Sequence, residues 1–389
     1  MLKVAPVRNR YNHHSFTSNV GGGEHFITIS VAPDRPFHAQ LEEAVATYDT
    51  AIRELGLERN SAVFRRIFLS DAINQVESLR KSALVSHPEE GPVSVSIVEQ
   101  PPLDGSKIAL LAYHIAAAPI RKQQLFPGHV LVEKGGSRHL WSTGLCSGNC
   151  EAGYGTDAQT WDAFANLTAA LTAVGANIKD HCQRTWIYVK DLDTSYLQMV
   201  KARQRIFSIA GMGEHSHYIA STGIQGSGSD RFGRLLLDAY SALDLQPGQV
   251  SYLTAPELLC PTRDYNVHFE RATKVAYADR AHLFVSGTAS IDRTGQVVHP
   301  GDVARQLDRA IRNVAGLLES GDADLQDLMY LVVYLRDRSD YPMVHARLAQ
   351  HLPEVPAVYV AGAVCRPQWL VEIEGIAICR NAQPSLSGF

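Results

Sequence analysis

The residues of this chain best suited to chemistry lie near its end, in Cys365-Arg366-Pro367-Gln368-Trp369-Leu370-Val371-Glu372-Ile373-Glu374-Gly375-Ile376-Ala377. Val371, Ile373 and Gly375 alternate with Glu372, Glu374 and Ile376, the period-two pattern of a half-buried strand. Both carboxylates therefore point to one face. An arginine and a cysteine precede them across a short turn that contains proline. A carboxylic acid fixed on a strand is well placed to donate a proton, because its position does not depend on a mobile loop. The plain alternative is a solvated sheet face on which neither glutamate reacts.

The elements that must position this strand are organised by repetition. Gln159, Asn166, Ala176 and Asp180 map to Gln306, Asn313, Ala323 and Asp327, each 147 residues later. After a one-residue shift, Tyr188-Val189-Lys190-Asp191 maps to Tyr334-Leu335-Arg336-Asp337. Phe164, Leu167 and Leu171 in one copy, and Ile311, Val314 and Leu318 in the other, lie at helical spacing. Each copy then carries a β-rich segment, a second helix and a third short apolar run, residues 218–224 and 358–364. That order predicts an α/β (α+β) fold of tandem units, each a sheet packed by helices on one face. The final unit spans about residues 269–379 and the middle one about residues 128–243. A weaker unit is expected ahead of them, with strands at residues 93–98 and 108–114 and a helix at residues 41–55. The expected domains are thus 1–120, 121–245 and 246–389, with a linker at Gly226-Ser227-Gly228 or within residues 246–266; Ser227-Gly228-Ser229 is alternatively a surface hairpin.

Those units are not equivalent in chemistry. Matching Leu237 to Val371 sets Asp238 against Glu372, and the corresponding strand of the first unit, Ile108-Ala109-Leu110-Leu111-Ala112-Tyr113, has no carboxylate. Only the last unit joins a glutamate to the Cys-Arg-Pro turn, so one catalytic centre is expected.

Composition narrows the class of partner. Hydrophobic residues make up 45%, charged residues 20%, and the formal net charge is -4, with no basic tract to meet nucleic acid or a membrane surface. No apolar run approaches a membrane span. The polar, His-rich start lacks a secretory h-region, and six scattered cysteines suit a reduced setting, so a cytoplasmic protein is expected. Cys146-Ser147-Gly148-Asn149-Cys150 has no second pair nearby, and His13-His14, His181-Cys182 and His215/His217 stand apart, so no metal is expected. Gly226-Ser227-Gly228 does not open a βαβ unit, and no cofactor is called for.

The tail, with the segment before it, resembles the end of a RidA/YjgF-type domain, and more particularly the chorismatases, which are built from such domains. Leu283 to Asp292 resembles the second strand of a RidA unit, and Thr294-Gly295 its hairpin turn. RidA units carry Arg-x-Pro before the closing strand; here Cys365-Arg366-Pro367 leaves one residue fewer between proline and glutamate. Leu370-Val371-Glu372-Ile373-Glu374 is similar to the chorismatase closing strand. Arg184-Thr185-Trp186-Ile187-Tyr188 resembles Arg-Thr-Trp-Asn-Tyr, and Tyr218 to Ile224 resembles Tyr-Pro-Ala-Ser-Thr-Gly-Ile, with isoleucine in place of asparagine and proline. Ala202-Arg203 with Ile206-Phe207, and Tyr265 with Phe269-Glu270-Arg271-Ala272, have counterparts too. Ser286-Gly287-Thr288-Ala289-Ser290 matches in full. RidA proteins are commonly trimers with sites between subunits, so the resemblance implies a pseudo-trimer within one chain, for which a monomer suffices.

What it implies chemically is cleavage of chorismate, a small dicarboxylate, with release of pyruvate. Protonation of the enolpyruvyl methylene carbon gives an oxocarbenium ion; water captures it and the hemiketal collapses. Such a site needs an acid of raised pKa and fixed cations for two carboxylates. Glu372 is the expected acid. Arg203 is the expected first clamp, with Arg184, Arg271 and Arg366 as further candidates. Tyr188, Tyr218 and Tyr265 offer hydroxyls, or are core aromatics. Thr222-Gly223 offers a backbone N–H at close approach, or is a bulge. Cys365 and Ala289 shape the pocket; Cys365 is otherwise a nucleophile. Glu374 is expected at the pocket rim, and Arg203 within a ligand's length of Glu372 across a unit boundary. The product is either a dihydroxycyclohexadiene carboxylate or a hydroxybenzoate. An imine or enamine deaminase and a non-catalytic small-acid binder are the other readings.

Overall fold

The structure is a computed structural model that describes residues 11–18, 22–116, 119–148, 150–213, 215–265 and 267–389, and of Tyr265 the backbone alone. The first run of elements is β1 (Tyr11–Ser18), β2 (Gly22–Ser30), α1 (Phe37–Glu54), β3 (Ala62–Leu69), α2 (Ala72–Arg80), β4 (Ser94–Glu99) and β5 (Ile108–Ala116). The second is β6 (Ile120–Phe126), β7 (His129–Lys134), β8 (Ser137–Leu145), α3 (Thr156–Ala173), α4 (Ile178–His181), β9 (Cys182–Val189), α5 (Leu192–Ile209), β10 (Ala220–Gln225) and β11 (Leu235–Ala242). The third is β12 (Val250–Leu253), β13 (Ala272–Ala276), β14 (Arg280–Ala289), α6 (Val303–Glu319), β15 (Leu328–Leu335), α7 (Tyr341–His351), β16 (Ala357–Ala361) and β17 (Val371–Arg380).

Each run makes one sheet, and the three sheets share a strand order. The second is β6-β7-β8-β11-β9-β10 and the third β12-β13-β14-β17-β15-β16. The first is β1-β2-β5-β3-β4, the same order without an outermost strand. In all three the last strand in sequence lies in the middle, antiparallel to both neighbours. Its edges are paired with neighbouring strands, and its faces are covered by helices outside and by the other sheets inside, which is why β11 and β17 are almost wholly buried. Among the described residues no helix is long and apolar enough to cross a membrane.

Helices cover the outer face of each sheet. Phe164, Leu167 and Leu171 of α3 pack with Ile187, Val189, Leu235 and Leu237 of the second sheet. In the third unit α6 starts where the side chain of Asp302 accepts the Arg305 N–H at 3.0 Å, and its stripe of Ile311, Val314 and Leu318 faces inward. Inner faces meet one another in a common core. Phe26 lies against Tyr330 (ring centroids 5.6 Å), Phe64 against Trp141 (4.8 Å) and Tyr240 against Phe284 (5.0 Å), so that aromatic contacts join every pair of sheets. Such contacts add about 0.5–1.5 kcal/mol each beyond their buried area. Three sheets around one core put strand edges of different units side by side.

Two expectations need correction. Gly226 to Gly228 is no linker: it joins β10 to β11 within the second sheet, where Ser227 exchanges backbone hydrogen bonds with Glu99 of the first unit. Residues 246–266 include β12, the edge strand of the third sheet. The pairing of Asp238 with Glu372 is also off by two. The bulge between Leu237 and Ala239 matches the irregularity that lets Gly375 pair with Val285 and Ile373 with Thr288, so Asp238 stands where Glu374 does. Consistently, Tyr334 faces Glu372 across the sheet as Tyr188 faces Leu236. A two-residue slip keeps every side chain on its face, so period-two patterning cannot detect it. The position of Glu372 is then held by Leu236 in the second unit and Ala109 in the first, with no carboxylate in either.

Candidate active site

Glu372 looks into a cavity between the second and third units, with an empty volume of ≈ 480 Å³. From the third unit come Glu372 of β17, Gly287 and Ala289 of β14, and Cys365 and Trp369 of the turn before β17. Ser221, Thr222 and Gly223 of β10 come from the second unit, with Tyr196 and Arg203 of α5; Phe269, Arg271 and Ile291 complete the wall. The boundary is joined by the backbone: Glu270 N–H donates to Ile219 C=O at 3.1 Å, and Ser221 N–H to Ser286 Oγ at 2.8 Å.

Arg203 projects from the inner stripe of α5, between Met199, Ile206 and Phe207, and is 2% exposed. Its Nη1 donates to Ser221 Oγ at 3.3 Å and its guanidinium lies 5.8 Å from the Phe207 ring. Arg271 donates from Nη2 to the Cys260 carbonyl at 3.0 Å. Two arginines thus reach one cavity from different segments. Ala289 pairs directly with Glu372 across the strands, so its methyl leaves room beside the carboxyl. Trp369 is fixed by its indole N–H to Ser290 C=O at 2.9 Å.

Burial, and then the charge of Glu374, push the Glu372 carboxyl up to about 8, while Arg184 and Arg271 pull the other way. Glu372 therefore holds its proton at neutral pH. The Cys365 thiol is pushed up to about 12, first by burial and next by Glu372. A thiol so held is a poor nucleophile, which leaves Cys365 as a wall residue.

Glu374, two residues on, is not at the rim. It is 1% exposed and lies in a charge network drawn from all three units. Its Oε2 accepts from Arg184 Nη2 at 2.6 Å and from the Thr222 hydroxyl, and its Oε1 accepts from Tyr334 at 2.9 Å. Arg66 of the first unit reaches Glu374 and Asp238, each at 3.5 Å. Among the described residues the ion pairs join arginine to Glu374 and not to Glu372. One glutamate is paired with arginines, and its neighbour keeps its proton in the cavity.

This arrangement separates the candidates named from sequence. Glu372, Arg203, Thr222, Gly223, Arg271, Ala289 and Cys365 line the one cavity. Arg184 stands behind it, held by Glu374 and Thr222. Tyr188 is buried in the central core beside Arg66 and does not reach the cavity. Tyr218 packs on Phe207 and His268. Arg366 donates to the Gly295 carbonyl at 2.8 Å and covers the outer side of Trp369. The side chain of Tyr265 lies outside the described residues. Sequence reasoning passed over Tyr196, Phe269, Gly287 and Trp369 as site residues. Tyr196 was within reach, since it lies seven residues before Arg203 on one helix face.

Gly287 also carried a signal, as a glycine inside a strand pattern. A Cβ there would overlap Oε1 of Glu372 and stand 2.9 Å from its Cδ and 3.0 Å from Thr222 Cγ2. The local irregularity of β14 and the missing side chain together make the space that the carboxyl occupies. Gly287→Ala is expected to displace the carboxyl by an ångström or so and lower kcat by about 10²-fold, with the fold intact. Steady-state kinetics beside a thermal melt check it; wild-type turnover would refute the account.

Comparison with known proteins agrees with this architecture. Residues 269–379 match the family model described as Endoribonuclease L-PSP. The 3-aminoacrylate deaminase RutC of Acinetobacter baylyi is 33% identical over 97 residues, 24% of this chain and 77% of that protein. A RutC family protein of Pyrococcus abyssi is 35% identical over 98 residues, 24% of this chain and 76% of that protein. Among solved structures, a chorismatase aligns with a TM-score of 0.62 and 21% identity, over 82% of this chain and 93% of that one. At that identity the likeness is one of fold, and it extends well beyond a single unit.

Proposed function

The chain belongs to the Endoribonuclease L-PSP (RutC) family through its last unit, and from that premise we propose that it cleaves the enol ether of chorismate to release pyruvate. One observation carries the reading: a carboxyl held protonated faces a cavity that two buried arginines also line. Glu372 donates its proton to the enolpyruvyl methylene carbon, which turns the ether carbon into an oxocarbenium ion. Water adds to that carbon and returns a proton to Glu372. The hemiketal then collapses: its hydroxyl gives up a proton as the pyruvate C=O forms, the bond from the pyruvyl carbon to the ring oxygen breaks, and that oxygen takes the proton to leave as a hydroxyl. Arg203 and Arg271 hold the carboxylates of the dianion, and Trp369, Phe269 and Ala289 shape the space for the ring. The chorismatase whose fold this chain shares supports the substrate class.

A second reading, an enamine or imine deaminase, is favoured by the RutC relatives of the last unit. Arg366 speaks against it. It takes the place of the arginine that the RidA resemblance assigns to the substrate carboxylate, yet its guanidinium is spent on Gly295 C=O and Trp369. The two readings separate in one pair of assays. Pyruvate release from chorismate, followed by coupled reduction with lactate dehydrogenase, is expected; ammonia release from 2-aminoacrylate without it would reverse the order. Chromatography of the same reaction distinguishes a diene diol from a hydroxybenzoate.

Arg203→Ala is expected to weaken substrate binding by about 1.5–3 kcal/mol, the scale of a charge-assisted hydrogen bond. The loss should fall mainly on KM, since the clamp acts before and during protonation alike. An unchanged KM would remove Arg203 from the site.

A further inference from the structure

Three units give three equivalent boundaries, and strand registers carry the Glu372 cavity from one onto the next. In the third sheet Tyr334 faces Glu372; in the first, Phe68 faces Ala109. Ala109 pairs with Ser30 as Glu372 pairs with Ala289. On the other wall, Val358 and Tyr359 of β16 stand where Thr222 and Gly223 of β10 stand, because Val360 pairs with Tyr334 as Ile224 pairs with Tyr188. Counting from Asp191 and Asp337, Ala349 of α7 takes the place of Arg203.

A cleft does open at that boundary, between α7 and β16 of the third unit and the first sheet. It is larger than the Glu372 cavity, with an empty volume of ≈ 1200 Å³, solvent at its mouth included. Ser30, Ala109, Ala349 and Tyr359 all line it. The acid and the clamp have been replaced by alanines, so this cleft has neither a proton donor at the acid position nor the arginine for an anion. Other groups occupy the walls. Tyr341, His345 and Tyr359 form a triangle of rings, with centroids 5.5, 5.4 and 5.2 Å apart. Asp104 and Glu354 add two carboxylates, and the lining contains neither lysine nor arginine. Ring faces and carboxylates both favour positive charge.

We propose that this cleft is a second small-molecule site, one that binds a flat organic cation and carries out no reaction. It differs from the Glu372 site in ligand charge and shares with it only the boundary geometry that the repeated units impose. The inference does not depend on the reaction assigned to Glu372.

Benzamidinium and benzoate test it, because they share a shape and differ in charge. Titration calorimetry of the full chain is expected to give saturable binding of benzamidinium at one site at millimolar concentration or below, and none of benzoate. Tyr359→Val, which restores the aliphatic kind of residue found elsewhere in this strand, should weaken benzamidinium about tenfold. Glu354→Gln, on the surface and harmless to the fold, should weaken it about threefold, and Glu372→Gln should leave it unchanged. A thermal melt establishes that each variant is folded. Failure of benzamidinium to saturate, equal binding of benzoate, an affinity that either cleft variant leaves unchanged, or one that Glu372→Gln lowers would each overturn the proposal.

Discussion

Glu372→Gln is expected to lower turnover by about 10²–10⁴-fold, the usual contribution of a general acid, while substrate still binds. Glutamine keeps the shape and hydrogen-bonding capacity of the protonated side chain and removes only the transferable proton. The pH dependence identifies the group. Only protonated Glu372 can donate, and its carboxyl is raised to about 8, so kcat should hold at neutral pH and fall as pH rises through about 8. Stability carries the same sign. A carboxyl whose folded pKa lies above its ordinary value near 4.5 contributes stability that is fully present below 4.5 and is lost as pH rises through about 8. The glutamine variant has no such loss. It should therefore gain on the wild type from about pH 5 upward, by on the order of 3–5 kcal/mol once pH exceeds 8. Urea melts at pH 5, 7 and 9 measure the gain. Full activity in Glu372→Gln would end the mechanism, and a pH-independent stability difference would end the assignment of the raised pKa.

Replacing Glu374 is expected to do different damage. Glu374→Gln leaves Arg184 buried beside Thr222 with no anion at hydrogen-bonding distance, and an uncompensated buried charge costs about 3–5 kcal/mol. The expected phenotype is loss of stability first. Removing both charges in Arg184→Met with Glu374→Leu should recover much of that loss, because an apolar pair of similar volume requires no desolvation of charge. A chemical-denaturation cycle of the two single variants and the double one tests this. If Glu374→Gln proves as stable as the wild type, the network does not hold the units together. The variant has a second readout. Glu374 is the neighbouring charge that raises Glu372, so the alkaline fall in kcat should move to lower pH wherever the variant remains folded.

The sequence alone determined which residues share a face and where the unit repeats. Alternation identified β17 as a strand and put Glu372 and Glu374 on one face. Helical spacing and the constant offset identified the repeated unit. Seven of the site residues that the chorismatase resemblance implied line one cavity: Glu372, Arg203, Thr222, Gly223, Arg271, Ala289 and Cys365. What alternation does not contain is the identity of the partner across a boundary. Two carboxylates on one face look alike in sequence; here Arg184, from another sheet, claims Glu374 and leaves Glu372 to the cavity. The same packing takes Arg184 and Tyr188 out of the site, turns Arg366 onto Trp369, and brings in Phe269 and Trp369. Register escapes in the same way. Asp238 was set two places from its true match because a two-residue slip preserves the face, and only the bulges in β8 and β14 fix the alignment. Local periodicity decides which residues share a face of an element; β17, read as half-buried, is buried on both. Tertiary packing decides what each buried group meets, and at Glu372 and Glu374 that meeting sets which carboxyl faces the cavity with its proton and which pairs with arginine.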